Sequence, residues 1–353
     1  GSEMCIRDRV GPETHRQAYG FFNFNAIPSV QIRGKSLPVS IYAVAGEKNR
    51  PVIGQRKLNF SSELIGRQDE MDTLLRAMQR LEAGQGSIIS INGEAGSGKS
   101  RLLYEFERQM DHKRINWITG YAFAHTQQVP YFPLVHLVRR WLELDGSATE
   151  EEMSTGIARR VGSLLGPNAR EIPIIKGLIG MDVQETMGMS PEEWRKQLKS
   201  TMLNLLMAIA HQAPTVFCME DIHWGDSSSF KLLKDIIFNF EEPALVICTT
   251  RPHASLFTSH EQELIEPIFT EIRLGDLTPA ETEDMMESML DTESLPEDLR
   301  RLVRKRAEGN PFYLEEILNA LVDSNALAFE DGQWTMNGAF KEADIPSSIH
   351  GVI

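Results

Sequence analysis

The sequence is poor in cysteine and has no long apolar run. Only three of its 353 residues are cysteines, Cys5, Cys218 and Cys248. They are too few and too widely spaced for a disulfide framework or a zinc site. No apolar run reaches the roughly 18 residues that a membrane-spanning helix needs, and the chain does not begin with a basic segment followed by an apolar stretch, as a secretory signal would. These absences predict a cytoplasmic protein with no membrane partner.

Positive charge is also scarce. The 36 Lys and Arg residues face 50 Asp and Glu, for a net charge of −14, which argues against a nucleic-acid surface because such surfaces depend on Lys and Arg. The deficit is uneven: residues 1–60 carry nine basic and four acidic residues, whereas the remainder carries 27 and 46. We therefore place a linker at residues 47–62. Hydrophobic (41%) and charged (24%) contents are typical of a globular protein, and the length allows about two domains.

The most informative segment, residues 87–110, reads SIISIN, GEAGSGKS and RLLYEFERQM, and predicts a strand, a glycine-rich turn and a helix. Gly93, Gly98, Lys99 and Ser100 match the GxxxxGK(S/T) pattern, in which backbone N–H groups at a helix N-terminus surround phosphate oxygens. Lys99 would reach the β- and γ-phosphates, and the Ser100 hydroxyl would bind magnesium. The alternative is a glycine-rich turn that binds no ligand.

An apolar run that ends in two acids is the expected second half of such a site. Residues 215–219 are typical of a buried strand, and Glu220 and Asp221 follow directly. Because magnesium on the phosphates needs a carboxylate from the opposite side, both acids are candidate metal ligands. The arrangement resembles that of the additional-strand ATPases, which implies that the first acid assists the metal and the second polarises the attacking water. An Asp base is about one methylene shorter than Glu, and a misplacement of about 1 Å can cost orders of magnitude in rate, so we expect slow hydrolysis. A solvated acidic strand end is the alternative.

A third strand-like run, ALVICTTR, covers residues 244–251. Parallel strands place ligand-binding groups at their carboxyl ends, so Thr249, Thr250 and Arg251 are expected near the γ-phosphate, with Arg251 answering developing negative charge. The alternative is an ordinary strand end with a surface arginine.

Capping signals predict the helices around these strands. Ser190, Pro191 and Glu193 form a capping box with proline at the first helical position, and Thr278, Pro279 and Glu281 repeat it before a helix to about Leu290. A further helix is expected from about Pro296 to Gly309. After the first box, apolar residues recur at helical spacing and predict a face that covers the sheet; they are Trp194, Leu198, Met202, Leu205 and Ile209.

Residues 61–353 resemble the STAND branch of the AAA-related P-loop ATPases, the signalling ATPases of bacterial multidomain regulators. Besides the glycine-rich turn, the resemblance rests on LIGRQDEMDTLL (residues 64–75), CMEDIHWGD, ICTTRP and GNPFYLEEIL (residues 309–318). It implies that Ile65, Gly66 and Arg67 lie near the adenine and that Pro311 packs on the base. It also implies a switch whose ATP- and ADP-bound states differ in how the lid and later domains dock. Ser97 stands where an aliphatic residue is usual, and no trans-acting arginine is evident, so turnover stays open.

The first part of the chain resembles a different family. Residues 10–46, with the segments ETHRQA, FNF, VQIRGK and PVSIYAV, resemble the C-terminal end of a class III adenylate/guanylate cyclase catalytic domain. A two-stranded hairpin is expected, with Val30 and Ile32 facing Val39, Ile41 and Val44 across a turn at 34–38. The cyclase metal-binding aspartates would lie upstream, so this remnant is no working cyclase. Residues 1–9 resemble a sequencing-library artefact, and residues 345–353 the start of a truncated winged-helix segment.

The expected architecture is therefore α/β: a P-loop NTPase domain with a parallel sheet (residues 63–275) and a C-terminal helical lid (residues 276–344), preceded by the cyclase remnant. The expected ligands are ATP or ADP and Mg²⁺, and the expected partners are the upstream cyclase domain and C-terminal domains outside this chain. A homo-oligomer in the ATP-bound state is left open. The residues expected at the nucleotide are Ile65, Gly66, Arg67, Gly93, Glu94, Ala95, Gly96, Ser97, Gly98, Lys99, Ser100, Arg101, Glu220, Asp221, Thr250, Arg251 and Pro311.

For function, the joined cyclase remnant favours an ATP–Mg²⁺-binding regulatory switch, with weak ATPase activity, in a multidomain cyclase. Two alternatives remain. One is a STAND-type transcription regulator, which a basic recognition helix after residue 353 would favour. The other is a scaffold that binds nucleotide without turnover, which a comparison of nucleotide affinity with single-turnover hydrolysis would separate from a true ATPase.

Overall fold

The computed structural model describes residues 9–11, 14–15, 22–30, 39–47, 64–144, 149–292, 295–330 and 333–336. Two compact units are present, one with residues 1–60 and the segment 145–149, and the other with the rest. The division near residue 60 coincides with the shift in charge. Almost all of the expected linker and the whole of residues 345–353 lie outside the described residues.

The first unit contains a three-stranded antiparallel sheet. Its strands are β1 (Arg9–Val10), β2 (Phe22–Val30) and β3 (Val39–Glu47), in the order β1-β3-β2. Val30 pairs with Val39 as the hairpin pattern predicts, whereas Ile32 and the turn at 34–38 lie outside the described residues. The expectation of two strands was wrong, because β1 adds to the open edge of β3 through Arg9–Ala43 and Val10–Tyr42 pairs.

The second unit is an α/β domain followed by helices and a hairpin. Its strands are β4 (Ser87–Gly93), β5 (Asn116–Tyr121), β6 (Thr215–Glu220), β7 (Leu245–Thr250), β8 (Phe269–Leu274), β9 (Leu327–Glu330) and β10 (Gln333–Met336). Its helices are α1 (Gln68–Glu82), α2 (Lys99–Arg108), α3 (Phe132–Trp141), α4 (Glu150–Leu165), α5 (Glu171–Ile179), α6 (Pro191–Gln212), α7 (Ser227–Ile237), α8 (Ser259–Ile265), α9 (Pro279–Leu290), α10 (Glu297–Ala307) and α11 (Pro311–Asp323).

Five parallel strands form the central sheet, in the order β5-β6-β7-β4-β8. Strand β7 therefore lies between β4, which leads into the glycine-rich turn, and β6, which ends in the acids. Asn92 pairs with Thr250, and Tyr121 pairs with Glu220. Because parallel strands end at the same edge, this order brings the glycine-rich turn, the acids and Arg251 to one edge of the sheet. The expected P-loop NTPase fold is confirmed.

Successive strand residues point to opposite faces of the sheet, and each face has its own core. Ile88, Phe217 and Met219 pack with the helices α3–α7 on one face, whereas Ile89 and Cys218 pack with α1 and α2 on the other. The stripe on α6 is buried in the first core, apart from the partly buried Trp194. Burial raises the pKa of the Cys248 thiol to about 12, so this cysteine is a core residue and not a nucleophile.

The predicted capping boxes are confirmed. Ser190 begins α6 at Pro191 and exchanges hydrogen bonds with Glu193, and Thr278 begins α9 in the same way with Glu281. Helices α9–α11, which we call the helical lid, continue into the β9–β10 hairpin, where Trp334 Nε1 donates to the Leu290 carbonyl at 2.8 Å. None of the described helices is long and apolar enough to span a bilayer.

Candidate functional site

The phosphate-binding loop, residues 93–100, connects β4 to α2 with backbone geometry that needs glycine. Gly96 and Gly98 have φ angles of +78° and +94°, which side chains other than that of glycine rarely adopt. A side chain at Gly93 would collide with the Ser97 hydroxyl at 2.5 Å. Helix α2 begins after Gly98 with no side-chain cap and no acidic residue in its first turn. Its N-terminal N–H groups and positive helix-dipole end suit an anion.

Lys99 is the central cation of this loop. It is 8% exposed, and its ammonium group donates to the carbonyl oxygens of Gly93 at 2.6 Å and Glu94 at 2.9 Å. Burial lowers the pKa of Lys99 from its ordinary value, and the nearby negative charge of Asp221 opposes this shift. An ammonium group has three N–H donors, so the two bonds to the loop leave one donor for a phosphate oxygen.

The two acids lie at the end of β6, in a segment that we call the acid loop, residues 220–226; the strand was expected to end at residue 219 but includes Glu220. Glu220 is the buried last residue of β6, and Asp221 has a left-handed backbone with a φ of +53°. The backbone N–H of Asp221 donates to Thr249 Oγ1 at 2.7 Å. The Thr249 hydroxyl, expected near the γ-phosphate, thus holds the acid loop.

Asp226 fixes the other end of the acid loop. Its carboxylate accepts the backbone N–H groups of Ser228 and Ser229 at 2.9 and 3.1 Å and so caps α7. It also accepts the backbone N–H of Tyr131, the residue before α3, at 3.0 Å. The acid loop is therefore held at both ends by hydrogen bonds to other parts of the domain.

Four charged or titratable side chains share the space beyond the phosphate-binding loop. Burial raises the pKa of Asp221, and the positive charges of Lys99 and Arg251 oppose that shift. Burial, with help from Arg251 and Lys99, lowers the pKa of His223 to about 4, so its imidazole is neutral at pH 7. The Arg251 guanidinium lies over the Trp224 ring at 5.0 Å, a cation–π contact that fixes its position.

Several polar atoms of the phosphate-binding loop, the acid loop and the end of β7 are buried and have no hydrogen-bond partner in the described part of the chain. They are Ser97 Oγ, Thr250 Oγ1 and both ring nitrogens of His223. Leaving such groups unsatisfied costs about 1–3 kcal/mol each, and a polar ligand would remove that cost. Together with Lys99 and the open N-terminus of α2, they fit a phosphate group. The described residues contain no group of three or more His, Cys, Asp or Glu side chains suited to a metal, so Ser100 and the two acids would hold magnesium jointly with phosphate oxygens.

The helical lid contacts the phosphate-binding loop directly. Asn310 begins α11 by accepting the N–H of Phe312 at 3.0 Å, and its side-chain amide donates to the Ala95 carbonyl at 2.9 Å. The N–H of Phe312 also lies 3.3 Å from the Gly96 carbonyl. A side chain at Gly96 would meet Asn310 Oδ1 at 2.6 Å and Phe312 Cβ at 2.7 Å. The lid position is therefore coupled to the loop backbone.

The segment LIGRQDEMDTLL, residues 64–75, also contacts both the phosphate-binding loop and the helical lid. The Arg67 guanidinium is buried and donates to the carbonyl oxygens of Ser97 at 3.2 Å and Gly275 at 2.5 Å. Gly66 has a φ of +67°, and a side chain there would collide with the Glu281 carboxyl group. Arg67, which the resemblance places near the adenine, thus anchors the backbone of the phosphate-binding loop; Ile65 lies half-buried beside it.

The remaining expected residues are placed as follows. Glu94 is exposed, Ala95 and Ser100 are half-buried, and Arg101 pairs with Glu105 along α2 at 2.9 Å. Pro311 is the first residue of α11, directly after the cap. Sequence reasoning missed the contacts made by Asn310 and Asp226 and the burial of His223. An Asn-Pro pair does signal a helix start, but the partners of Asn310 and Asp226 lie far away in the chain.

A family model for the AAA ATPase domain matches residues 63–248, which is more than half of the chain, and the chain therefore belongs to the AAA ATPase domain family. A second family model, described as a domain of unknown function, matches residues 278–334, a range that contains the lid helices and most of the β9–β10 hairpin.

Two curated relatives align with most of the chain. An uncharacterized protein of Rhizobium meliloti is 26% identical over 324 residues, which cover 87% of this chain and 30% of that protein. Adenylate cyclase type 10 of Mus musculus is 22% identical over 340 residues, which cover 92% of this chain and 21% of that protein. The chain spans less than a third of the length of either relative.

Solved structures with a similar fold include a signal transduction ATPase with numerous domains (STAND) with a tetratricopeptide repeat sensor, from Pyrococcus horikoshii. It is 16% identical with a TM-score of 0.36, and the match covers 73% of this chain and 31% of that one. The Aeropyrum pernix ORC2 protein in its ADP form is 12% identical with a TM-score of 0.47, covering 76% of this chain and 66% of that one.

Proposed function

We propose that this chain is a nucleotide-operated switch module that binds ATP and Mg²⁺ at residues 93–100 and hydrolyses ATP slowly. The observation that carries the proposal is the joint contact of Asn310 and Phe312 with the backbone of Ala95 and Gly96. A ligand that changes the loop backbone must also change these hydrogen bonds. The lid, and any domain attached to it, can therefore respond to the bound nucleotide.

In this proposal each group has one role in binding. Lys99 holds the β- and γ-phosphates through its remaining donor, and the N-terminal N–H groups of α2 surround the phosphate oxygens. Ser100, Glu220 and Asp221 hold Mg²⁺, which supplies charge neutralisation at the phosphates. Thr250 and Arg251 lie at the end of β7, between the loop and the acids, where they face the terminal phosphate.

For turnover we assign Asp221 the role of polarising the attacking water. Burial raises the pKa of its carboxyl group, which strengthens it as a base, while Lys99 and Arg251 favour its charged form. Its shorter side chain and the bond from its backbone N–H to Thr249 restrict its reach. Both features favour slow hydrolysis, which suits a switch that must persist in its ATP-bound state.

We further propose that the module belongs to a multidomain nucleotide cyclase. Residues 10–46 resemble the end of a class III cyclase catalytic domain. Adenylate cyclase type 10 of Mus musculus aligns with 92% of this chain. Because the unaligned part is shorter than residues 10–46, the alignment includes at least some of that segment. The three-stranded sheet of the first unit is compatible with such a remnant.

Nucleotide binding is tested by calorimetry on the full chain. We expect ATP and ADP to bind, ATP more tightly with Mg²⁺ than without, and the Lys99→Ala variant to lose binding. Lys196→Ala, on the exposed face of α6, is the matched control and should bind as the parent chain does. Unchanged affinity in Lys99→Ala, or no binding by the folded chain, would overturn the proposal.

Turnover is tested separately by single-turnover hydrolysis. Glu220→Gln and Asp221→Asn should reduce the rate more than they reduce ATP affinity. A measurable rate that neither variant changes would refute the assignment of the acids. Binding without measurable hydrolysis in the parent chain would favour the scaffold alternative.

The cyclase assignment is tested on a longer natural reading frame that contains this sequence. We expect cAMP or cGMP formation by that protein, and a class III catalytic domain before residue 10. A longer frame that lacks such a domain, or that adds a basic DNA-binding helix after residue 353, would refute it.

A further inference from the structure

His223 has a polar side chain that is buried within the acid loop. Its side chain is 7% exposed, and within the described ranges neither ring nitrogen has a hydrogen-bond partner. Buried polar groups in native proteins are almost always hydrogen-bonded, and an exception calls for an explanation such as a bound group. A core role alone does not explain the choice of histidine, because an apolar ring would fill the same volume without the desolvation cost.

The position of His223 indicates which group it serves. Its Nδ1 atom lies 4.0 Å from Asp221 Oδ1, too far for a hydrogen bond but within the same small space. Lys99 and Arg251 act electrostatically on both His223 and Asp221. Because the lysine of this loop type meets the β- and γ-phosphates, His223 lies at the terminal-phosphate end of the nucleotide.

The imidazole is also held in place before any ligand binds. His223 is the middle residue of a one-turn 3₁₀ helix, Ile222–Trp224, closed by hydrogen bonds from Trp224 N and Gly225 N. The acid loop on either side is fixed by Thr249 and Asp226. The imidazole ring of His223 contacts the Trp224 ring, and the two ring centroids lie 4.9 Å apart. A donor fixed in advance stabilises charge without reorganisation.

We propose that the imidazole of His223 donates a hydrogen bond from one ring nitrogen to an oxygen of the γ-phosphate, and that this bond makes the site prefer ATP over ADP. The inference rests on the proposed nucleotide binding. An imidazole ring has at least one N–H donor in either protonation state, and ADP has no γ-phosphate oxygen for that donor to reach. His223 is therefore a specificity-determining residue, distinct from Lys99, which would bind both nucleotides.

Calorimetry with two ligands on the full chain tests this inference: the β,γ-imido analogue of ATP and ADP, each with and without Mg²⁺. His223→Phe keeps the ring volume and removes the donor. Because the lost hydrogen bond is to a charged phosphate oxygen, we expect this variant to bind the analogue about tenfold to hundredfold more weakly. Its affinity for ADP should change by less than about twofold. The selective loss should persist without Mg²⁺, because the bond goes to the phosphate and not to the metal.

Two further variants identify the donor atom. The amide nitrogen of Asn in His223→Asn takes the place of Nδ1, and that of Gln in His223→Gln takes the place of Nε2. One of the two should retain most of the analogue affinity and the other should lose it. If His223→Phe does not fold, this contrast carries the test alone. His260→Phe, an exposed histidine on α8, is the matched control and should change neither affinity.

The outcomes separate the two proposals. Equal weakening of the analogue and ADP, no weakening of either, or selective loss only in the presence of Mg²⁺ would overturn the role of His223 while leaving nucleotide binding intact. So would Asn and Gln variants that both bind like the parent chain. Absence of binding by the parent chain would instead overturn the proposed function.

Discussion

The side-chain amide of Asn310 donates a hydrogen bond to the Ala95 carbonyl oxygen at 2.9 Å, across 215 residues of sequence. The other atom of the same amide, Oδ1, accepts the N–H groups of Phe312 and Tyr313 and so begins α11. One residue therefore both starts a lid helix and bonds the phosphate-binding loop. These two roles involve different atoms, so substitution can separate them.

Asn310→Asp should release the loop without removing the helix cap. Aspartate keeps the acceptor for Phe312 and Tyr313 but loses the donor to Ala95 and places negative charge beside that carbonyl. We expect α11 to keep its cap, since Asn and Asp cap helices equally well, and the unfolding free energy to fall by about 1–3 kcal/mol through the lost bond to Ala95 and the charge placed at a buried position. Amide hydrogen exchange of residues 94–98, followed by mass spectrometry, should become faster.

Two variants complete the comparison. Asn310→Ala removes both roles and should also lower the unfolding free energy by about 0.5–2 kcal/mol. Ser190→Ala is the control, because the Ser190 side chain caps α6 by bonding Glu193 and does not contact the phosphate-binding loop. This variant should destabilise the protein without changing hydrogen exchange in the phosphate-binding loop. Unchanged exchange of residues 94–98 in Asn310→Asp would show that the lid contact does not restrain the loop.

Gly96→Ala should push the lid away from the loop. Gly84 provides a matched control, because it has nearly the same φ, +76° against +78°, but open space around the added methyl group. Gly84→Ala should cost about 1–2 kcal/mol from the left-handed backbone alone. Gly96→Ala should cost about 1–3 kcal/mol more, because the methyl group collides with Asn310 and Phe312.

Urea unfolding measures both free energies, and limited proteolysis within the helical lid, residues 279–323, reports whether the lid detaches. Faster cleavage of the lid is expected only in Gly96→Ala. An equal loss of unfolding free energy in the two variants would mean that the loop and the lid accommodate the methyl group at Gly96, and would argue against the proposed coupling.

Local signals in the sequence were sufficient for the elements that build the phosphate-binding loop. The GEAGSGKS turn requires left-handed glycines and a following helix, and the structure has both, with α2 beginning at Lys99. The capping boxes at Ser190 and Thr278 were equally reliable, because their hydrogen bonds join residues only three apart.

Contacts between distant segments were not predictable from local patterns. The insertion of β7 between β4 and β6 depends on the pairing of β7 with β4, in which Ser87 lies opposite Leu245, more than 100 residues away in the chain. The same holds for Asp226, whose bond to Tyr131 makes it an anchor of the acid loop, and for β1, whose two residues show no strand pattern until they pair with β3. The sequence pattern also left the helices α3–α5 unassigned.

Lowering the pH should destabilise the protein through His136. Burial, reinforced by Arg140 and opposed by a backbone hydrogen bond at Thr119, lowers the pKa of His136 from 6.5 to about 4. In the unfolded chain the His136 imidazole is therefore protonated below about pH 6.5, whereas in the folded chain it is protonated only below about pH 4. The contribution of His136 to the free energy of unfolding is therefore fully present above pH 6.5. It falls by about 1–3 kcal/mol as the pH drops towards 4.

His136→Phe tests this dependence. The ring lies among Tyr121, Phe123 and Phe132, so phenylalanine suits the site. Urea unfolding between pH 8 and pH 5 should show a shallower loss in the variant, though not a flat one, because His223 shifts in the same direction. His253→Phe, an exposed position, should keep the parent slope. An unchanged slope in His136→Phe would mean that the folded chain accommodates the charged ring.

Arg67→Ala decides whether this arginine anchors the loop or contacts the base. Its guanidinium bonds the carbonyl oxygens of Ser97 and Gly275, so its removal leaves both without a charged donor and should cost about 2–4 kcal/mol. Arg67→Lys should recover only part of this, since one ammonium group lacks the fork geometry that bridges two carbonyls. Arg80→Ala, whose exposed side chain bonds the Pro267 carbonyl at 3.4 Å, should change stability by less than about 0.5 kcal/mol.

Nucleotide selectivity then separates the two roles. An anchor positions the backbone that binds phosphates, so Arg67→Ala should weaken ATP and GTP binding by the same factor. An adenine contact would instead change the ratio of the two affinities, with little effect on unfolding. Because both carbonyl oxygens belong to backbone that flanks the phosphates, we expect the first pattern. A changed ATP-to-GTP ratio at unchanged stability would assign Arg67 to the base.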